Sequence, residues 1–595
     1  MRSADTILNV IRDRGNRQLP LARVYRFLFN PDLYLRAYGN IYSNQGVMTA
    51  GTTTETVDAM SLEKIGRIIE AVRSERYRWT PVRRTYIPKA NGKKRPLGIP
   101  TWSDKLLQEV LRLILEAYYE PQFSDHSHGF RPQRGCHTAL QTIHRTWNGT
   151  KWFIEGDIKG CFDNIDHTIL LNCLRDKIHD NRFLRLIENL LRAGYREEWR
   201  YKPTYSGAPQ GGILSPILSN IYLDQLDRWV EETLLPQHTR GQTRKPNPEY
   251  LTLMHRAARR RAQGKVDEAK RLAQLQRQIP SKDVNDPNYR RLRYIRYADD
   301  FLLGFAGPKT EAEAIKEELK AFLREKLALE QSEEKTLITH AGTQAAHFLG
   351  YEIVGQHADD HRARSQRSIN GVIGLRLPAA VVERHGARYQ KGGKPIHRPE
   401  LEMDSDFDIV VRYQAEYRGL VNYYLLAQNV GWLNKLKRVM EVSLLKTLAA
   451  KHKSSVKSMA KRYKTSTPTP HGPRKCLEVR IDRGEKRPLI ARFGGIPLRR
   501  QRDAVLRDQV INRFGYQRTE LVARLLTDEC ELCQSADRVQ VHHIRALKDL
   551  KGNDRKEKPR WMQMMAARRR KTLVVCQRCH TAIHAGKPVR QPKTE

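Results

Sequence analysis

Negative charge is what this 595-residue chain has least of: Asp and Glu together number 66 against 107 Lys and Arg, a formal net charge of +41 at neutral pH. An excess of that size implies a polyanionic partner whose phosphates the basic side chains neutralise. Long apolar runs are missing too. No stretch approaches the roughly 20 residues that cross a bilayer, and the opening MRSADTILNV has no signal-type apolar segment. The sequence therefore predicts a soluble chain, without membrane partners, that stays where nucleic acid is. A disulfide framework is also absent. Of eight cysteines, Cys136, Cys161, Cys173 and Cys476 are scattered, and Cys530, Cys533, Cys576 and Cys579 form two C-x-x-C pairs. That spacing suits a metal and a reducing interior. No internal repeat is found. What is present is 39% hydrophobic residues, enough for packed cores and too much for a wholly disordered basic tail. The length allows roughly three to five packed units.

Apolar positions recur with helical spacing from Leu19 to Tyr77, broken by Asn30-Pro31 and by a Gly/Thr-rich loop over Gly46 to Thr56. The segment TYIPKANGKKRPLGIP (Thr85 to Pro100) predicts two short strands around a basic Asn91-Gly92 turn. FIEGDIKGCF (Phe153 to Phe162) predicts a buried strand running into a turn, and YIRYADDFLLGF (Tyr294 to Phe305) two apolar runs broken by Asp299-Asp300. Helical patterns separate these strands, which makes the chain α+β or mixed α/β. Leu235 to Tyr289 is different: polar, opened by Pro, Gly and Asn, and carrying adjacent Arg259, Arg260 and Arg261. It fits either a solvated, charged helix pair or an arm lying on RNA phosphates. A His- and Arg-rich linker follows Tyr351, then helical spacing over Phe407 to Tyr463. TSTPTPHGPR (Thr465 to Arg474) reads as a Pro/Thr loop and a boundary.

Asp157 ends one apolar strand, and Asp299-Asp300 form a turn far along the chain. Two-metal phosphoryl transfer needs carboxylates gathered from different strands, because Mg²⁺ takes oxygen ligands and keeps room for substrate phosphates. An Asp-Asp pair by itself says little, since Asp also favours turns. The ordered company is what decides: IPKANGKKRPLGIP, GFRPQRG, DIKGCFDNIDH, APQGGILSPILSNIYL, YADD, EEKT and HFLGYEI. In this order the blocks resemble a reverse transcriptase of the group II intron class, over about Thr80 to Ile353. The resemblance implies that Asp157 and Asp299 hold the metals with Asp300 as a less essential neighbour, and that Ile158 offers its backbone carbonyl. Phe162 then lies beneath the sugar, where its ring would exclude a 2′-hydroxyl; Lys89 and Arg95 hold the triphosphate; Gln210 contacts nucleotide and template; and Lys335 stands as a general acid toward pyrophosphate. A core aromatic and a solvated hairpin charge are the plain alternatives for Phe162 and Arg95.

The block YRGLVNYYLLAQNVGWLNKLKRVMEV, followed by LAAKHKSSVKSMAKRY, is similar to the thumb, or X domain, of group II intron maturases. Tyr413, Tyr417, Tyr423 and Tyr424 fit the core and rim of a helical bundle better than base stacking. The two cysteine pairs fit a tetrahedral structural Zn²⁺. A zinc knuckle alone would not need His542-His543 or the i, i+4 pair His580 and His584. Together they resemble an H-N-H endonuclease, which implies His543 as general base and His542, His580 and His584 around a catalytic Mg²⁺. Lys571-Thr572 stand where many members carry Asn.

The resemblance thus implies a multidomain α+β protein: an N-terminal helical extension (1–79), right-hand fingers and palm (80–360, with 235–289 a basic insertion), a helical thumb (375–465), a basic DNA-binding region (474–527) and a small zinc-stabilised ββα nuclease (528–595). It implies a polymerase, maturase and endonuclease that works with intron RNA, target DNA and dNTPs, uses Mg²⁺ and Zn²⁺, and acts in a bacterial-type cytoplasm, nucleoid-associated on its target. A splicing-only maturase would not need Asp157, Asp299, Asp300 and His543. A retron-like or diversity-generating reverse transcriptase would not need the C-terminal nuclease.

Overall fold

The computed structural model describes residues 2–44, 46–88, 92, 94–198, 200–202, 204, 206–207, 211–358, 362–363, 366–367, 369–484, 486–506, 520–550 and 558–588. Its N-terminal part is built on helices α1 (Ala4–Asn16), α2 (Pro31–Ile41), α3 (Leu62–Arg73) and α4 (Trp102–Tyr119). Each starts where the side chain of Ser3, Asn30, Ser61 or Thr101 accepts an N–H that the first turn leaves without a helical partner. Their apolar stripes converge on α4, whose Leu106, Leu107, Val110 and Ile114 are fully buried in one core with Ile11, Leu33 and Tyr34.

Nine strands make the two sheets that follow: β1 (Val82–Pro88), β2 (Lys94–Ile99), β3 (Ser127–His128), β4 (Trp152–Asp157), β5 (Tyr195–Glu197), β6 (Arg200–Lys202), β7 (Arg291–Tyr297), β8 (Asp300–Ala306) and β9 (Ile338–His340). The first sheet has the order β2-β1-β5-β6 and contains the hairpin that the sequence predicts. The central sheet has the order β9-β4-β8-β7-β3, antiparallel except where β3 joins β7. Side chains alternate across it. Ile154, Phe301, Leu303 and Phe305 face the core built on α4, whereas Phe153, Leu302 and Ile295 face a second core shared with the C-terminal half. At Gly156 a Cβ would lie 2.0 Å from the Phe301 ring, so only glycine lets β4 and β8 pack at this point.

Helix α5 (Ser215–Trp229) covers the central sheet and leads into the inserted segment, where α6 (Pro248–Ala262) and α7 (Val266–Gln276) form a largely exposed helix pair. The segment returns to the sheet through backbone bridges Arg240–Arg290 and Pro246–Lys282. Deep under the sheet Arg296 of β7 and Asp227 of α5 form an ion pair with no exposed surface on either side chain. The Arg296 guanidinium also donates to Ser127 Oγ, Asn220 Oδ1 and the Ala298 carbonyl, and the Tyr294 hydroxyl donates to Asp227. Another buried arginine, Arg131 of the GFRPQRG block, donates to Glu120 and to the Ser124 and Ser127 carbonyls. Both networks therefore brace the ends of β3 and β7.

Past the sheet, a three-helix bundle of α8 (Asp406–Tyr423), α9 (Leu433–Lys451) and α10 (Val456–Tyr463) buries Tyr413, Tyr417 and Tyr424, as its helical spacing predicts. Of the Pro/Thr loop expected over 465–474, residues 468–473 are loop, while the two ends of the range are strand. Lys464–Thr467 is strand β10, which pairs with β11 (Arg474–Arg483) and, through it, with β12 (Lys486–Gly494). The cause is tertiary: Leu477, Val479, Ala491 and Phe493 form an apolar face that is buried against the helical bundle, so this sheet completes the bundle's core. The region expected as 474–527 thus begins inside the preceding unit, and its residues 507–519 lie outside the described residues.

The C-terminal unit includes α11 (Glu520–Leu526), an antiparallel pair β13 (Val539–His543) and β14 (Thr572–Cys576) with a helix over Arg560–Ala567 between them, and α12 (Gln577–His584). It packs on the opposite end of the chain. Leu521, Leu525, Val541 and Val574 share the core of α1–α4, and Met60 forms a backbone bridge with Val541. Among the described residues no helix is long and apolar enough to cross a membrane.

Removing one partner of a fully buried ion pair leaves the other charge stranded, which costs about 3–5 kcal/mol. Asp227→Ala is therefore expected to shift the urea midpoint of the unit containing the central sheet far more than Arg259→Ala on the exposed helix pair, as read by circular dichroism.

Candidate active sites

The antiparallel register of β4 and β8 sets Asp157 directly opposite Asp300, with Asp299 in the tight turn between β7 and β8. Ala298, at φ 55°, makes that turn in the left-handed region. Asp157 is pinned from behind: Ser332 N donates to its carbonyl at 2.8 Å and Lys159 N donates to the Glu330 carbonyl at 2.9 Å, the two bonds that flank buried Ile158. The Lys335 ammonium donates to Asp157 Oδ2 at 2.8 Å. Burial raises the Asp299 carboxyl, with the charge of Asp157 adding to it and Arg95 and Lys335 opposing. Burial, the Asp299 charge and a hydrogen bond with Asp157 push Asp300 up to about 7. Carboxylates that repel one another in a half-buried corner are what a divalent cation relieves, so the residues fit Mg²⁺. The three carboxylates do not converge as closely as the two clusters described below, and the Lys335 ammonium stands against Asp157.

Phe162 lies in the helical turn Cys161–Asn164, half-buried beside that corner, its ring edge-on to exposed Phe130 at 6.3 Å between centroids. It is therefore neither a core aromatic nor a free one. Arg95 is exposed on β2, close enough for its charge to act on Asp299. Lys89 and Gln210 lie outside the described residues. Gly211, next to Gln210 in sequence and at φ 99°, comes so close to β2 that a Cβ would lie 2.6 Å from the Gly98 carbonyl oxygen, which places the end of the APQGG block on that strand.

In the C-terminal unit Cys530, Cys533, Cys576 and Cys579 bring their sulfurs within 4.8 Å of one another. Cys533 Sγ is 3.6 Å from Cys576 Sγ and 3.5 Å from Cys579 Sγ. The edge of a ZnS₄ tetrahedron with 2.3 Å bonds is about 3.8 Å, so the four thiols fit zinc.

A second cluster holds His542, His580, His584 and a residue that no local sequence signal marks, Asp58. Asp58 Oδ1 is 3.1 Å from His580 Nε2, and Oδ2 is 2.8 Å from His584 Nε2. Burial alone would raise the Asp58 carboxyl. The hydrogen bond and charge of His580, the His543 amide and the charge of His542 outweigh it and hold it well below the usual range. His542 is buried, and neither of its ring nitrogens has a hydrogen-bond partner among the described residues. A buried imidazole without a partner, set among two further imidazoles and a carboxylate, suits a divalent ion.

His543 is not part of that cluster. Neighbours on a strand face opposite ways, so the His542 ring turns to His580, His584 and Trp561, and the His543 ring to Tyr38 of α2, whose hydroxyl lies 3.3 Å from its Nε2. Burial, only partly opposed by Asp58 and the Val541 backbone, lowers His543 to about 4 and keeps it neutral. His543 is among the residues lining a cleft of about 1180 Å³, with Arg83, Arg524, Arg545, Arg570 and Lys571, a surface that attracts phosphate. Thr572 stands opposite His543 in the β13–β14 ladder, and the Arg524 guanidinium donates to its carbonyl.

Two further surfaces are basic. Arg259 and Arg261 are exposed on α6, and Arg260 pairs with Glu268 at 3.2 Å. On the helical bundle Lys435, Arg438, Lys457, Lys461 and Arg462 are each exposed.

Three parts of the chain match known families. Residues 87–353 match the family described as reverse transcriptase (RNA-dependent DNA polymerase), residues 381–474 type II intron maturase, and residues 530–580 AI2M/AI1M-like HNH endonuclease. The chain is 41% identical, over 94% of its own length and 95% of the relative's, to the group II intron-encoded protein LtrA of Lactococcus lactis subsp. cremoris. It is 36% identical, over 94% and 69%, to an uncharacterized 91 kDa protein in the cob intron of Schizosaccharomyces pombe, and 30% identical, over 97% and 71%, to a putative COX1/OXI3 intron 1 protein of Saccharomyces cerevisiae.

The raised Asp300 carboxyl has a signed consequence. Because the folded value lies above the ordinary one, the proton stabilises the metal-free corner at low pH, and that contribution is lost as pH rises through about 7. A cation must displace this proton below that point. In a His542→Ala background, Mn²⁺ affinity measured by EPR is expected to fall about fivefold on going from pH 7 to pH 6, steepening toward about tenfold per unit below that. Asp300→Asn should flatten this dependence.

Proposed function

Because this chain belongs to the family of group II intron-encoded proteins, we propose that its catalytic centres act in sequence on one nucleic-acid assembly. The protein is a reverse transcriptase, an intron maturase and an HNH DNA endonuclease in a single chain. For the polymerase, the supporting observation is the register that sets Asp157 opposite Asp300 with Asp299 beside them. On this reading 80–360 are fingers and palm, with 1–79 packed beneath them, 375–465 the thumb, 474–527 a DNA-binding region and 528–595 a zinc-stabilised ββα nuclease.

Asp157 and Asp299 hold the polymerase metals, with Asp300 as their neighbour and the Ile158 carbonyl as a further ligand. Bound Mg²⁺ would acidify the primer hydroxyl and offset charge on the triphosphate. Arg95 and Lys89 draw the dNTP phosphates in. Lys335 exchanges its contact with Asp157 for the leaving pyrophosphate, to which it can give a proton. Phe162 closes the space a 2′-hydroxyl would need, and Gln210 contacts the incoming nucleotide. Exposed bases on α9 and α10, together with Arg259, Arg260 and Arg261, lie along intron RNA, whose binding should weaken with salt.

In the nuclease His543 takes the proton from water at the basic cleft, where burial keeps it neutral at physiological pH. His542, His580 and His584 hold the ion, which would stabilise the leaving oxygen. A polymerase cannot begin without a 3′-hydroxyl. The nuclease therefore cuts target DNA to supply one, and the shared chain keeps that end close to Asp157 and Asp299.

Two variants separate these roles. Asp299→Ala should abolish DNA synthesis on an annealed template while intron splicing in the presence of the protein persists, because the carboxylate builds no RNA surface. His543→Ala should lose strand cleavage and insertion into intact duplex, extend a supplied primer normally, and regain insertion-site synthesis on a pre-nicked target. No rescue by the nick, with folding and zinc content intact, would refute the primer-supplying role.

A further inference from the structure

We propose that Asp58 is a ligand of the nuclease metal, so that this centre is assembled from both ends of the chain. The inference rests on the reading of His542, His580 and His584 as the endonuclease metal site. It adds a donor from outside the matched HNH segment, which spans 530–580.

The donor atoms of the four residues lie within 4.8 Å of one another. Besides its contacts with His580 and His584, Asp58 Oδ1 is 3.6 Å from His542 Nδ1, and it accepts the His543 backbone amide at 2.8 Å. One carboxylate and one proton would account for a single imidazole contact. Three imidazoles around one carboxylate make the N/O donor set of a divalent transition ion, and neither ring nitrogen of buried His542 has a hydrogen-bond partner among the described residues.

The carboxylate does not reach the cluster on a loose arm. Val57 and Met60, on either side of the Asp58–Ala59 turn, are wholly buried, and Ala59 is held at φ 58°, where alanine is rarely found. Trp102 of α4 donates its indole N–H to Met60 Sδ at 3.3 Å. Val541 on β13 exchanges backbone hydrogen bonds with the turn, Ala59 N to Val541 O at 3.0 Å and Val541 N to Met60 O at 2.8 Å. One short turn is thus fastened at the same time to the N-terminal helices and to the strand that carries His542. The His543 amide bond further ties the general base's backbone to the same carboxylate. Four protein ligands fill a tetrahedral zinc site, whereas an ion that accepts more ligands, such as Mn²⁺, keeps positions for a phosphate oxygen. The nuclease centre is then complete only when the C-terminal unit is seated on the N-terminal helices.

The test uses the full-length chain with zinc in the cysteine site and Asp157→Ala and Asp299→Ala silencing the polymerase metals. Mn²⁺ binding is followed by EPR for this parent, for Asp58→Asn and for His580→Ala, with thermal melting and zinc content as folding controls. Asp58→Asn is expected to weaken Mn²⁺ binding at least about tenfold, as His580→Ala does. Asp58→Cys should shift preference from Mn²⁺ toward Cd²⁺ and give sulfur-to-cadmium absorption beyond that of the parent, which only a direct ligand can produce. Unchanged or tighter Mn²⁺ binding in Asp58→Asn, with binding lost in His580→Ala, would overturn the inference and leave the three-histidine reading standing. If His580→Ala has no effect either, it is that reading which fails.

Discussion

Like charges must be held together in this molecule, and the central sheet is arranged around that requirement. The pairing of β4 with β8 places Asp157 against Asp300, and the turn at Ala298 adds Asp299. Left alone, three carboxylates in a half-buried corner would spread apart or take up a proton, and the raised Asp300 shows the second tendency. What resists spreading is packing: Gly156 beneath Phe301 fixes the spacing of β4 and β8, and the Arg296–Asp227 pair anchors the strand leading into the turn. The ammonium of Lys335 offsets part of the charge. A site poised in this way gains most when a divalent cation arrives, which is the condition for phosphoryl transfer.

The same logic recurs at the C-terminal unit with different chemistry. Four thiols close on one centre and three imidazoles with a carboxylate on another, and the two centres lie at opposite ends of the short helix and strands they share. So small a unit has little core of its own, the cluster around Cys530, Leu573 and Val575 being its main one. The apolar contact of Val541 and Leu525 with α2 and Met60 makes up part of the difference, and a zinc ion at the four cysteines would add to it. The N-terminal helices therefore support both the polymerase sheet and the nuclease.

Much of this could be read in the sequence, and the parts that could not have a common cause. Strands over 82–99, 152–157 and 291–306 follow from short apolar runs with turn residues between them, and the bundle of α8–α10 from helical spacing that also explains why Tyr413 and Tyr417 are buried. The cysteine cluster is legible because metal geometry demands C-x-x-C spacing. Asp58 in TVDAM and Tyr38 in α2 carry no local signal, since each acquires its meaning only when the C-terminal unit docks beside it. Arg296 and Asp227 look like surface charges in RYIRYADD and YLDQLDRW, and only the tertiary fold buries them. Likewise the Pro/Thr stretch before Arg474 looks like a linker because the partner of Lys464–Thr467 comes later in the chain. Each of these misses is a contact between residues far apart in sequence.

Anomalous diffraction from crystals of the full-length protein soaked in Mn²⁺ would test most directly the claim that this one chain builds a polymerase metal corner and a nuclease centre shared between its ends. The expected map has a zinc peak among Cys530, Cys533, Cys576 and Cys579, a manganese peak at Asp157 and Asp299, and a second manganese peak bonded to His542, His580, His584 and Asp58. A map with no manganese between Asp157 and Asp299, or with Asp58 turned away from an ion held by the histidines alone, would contradict it.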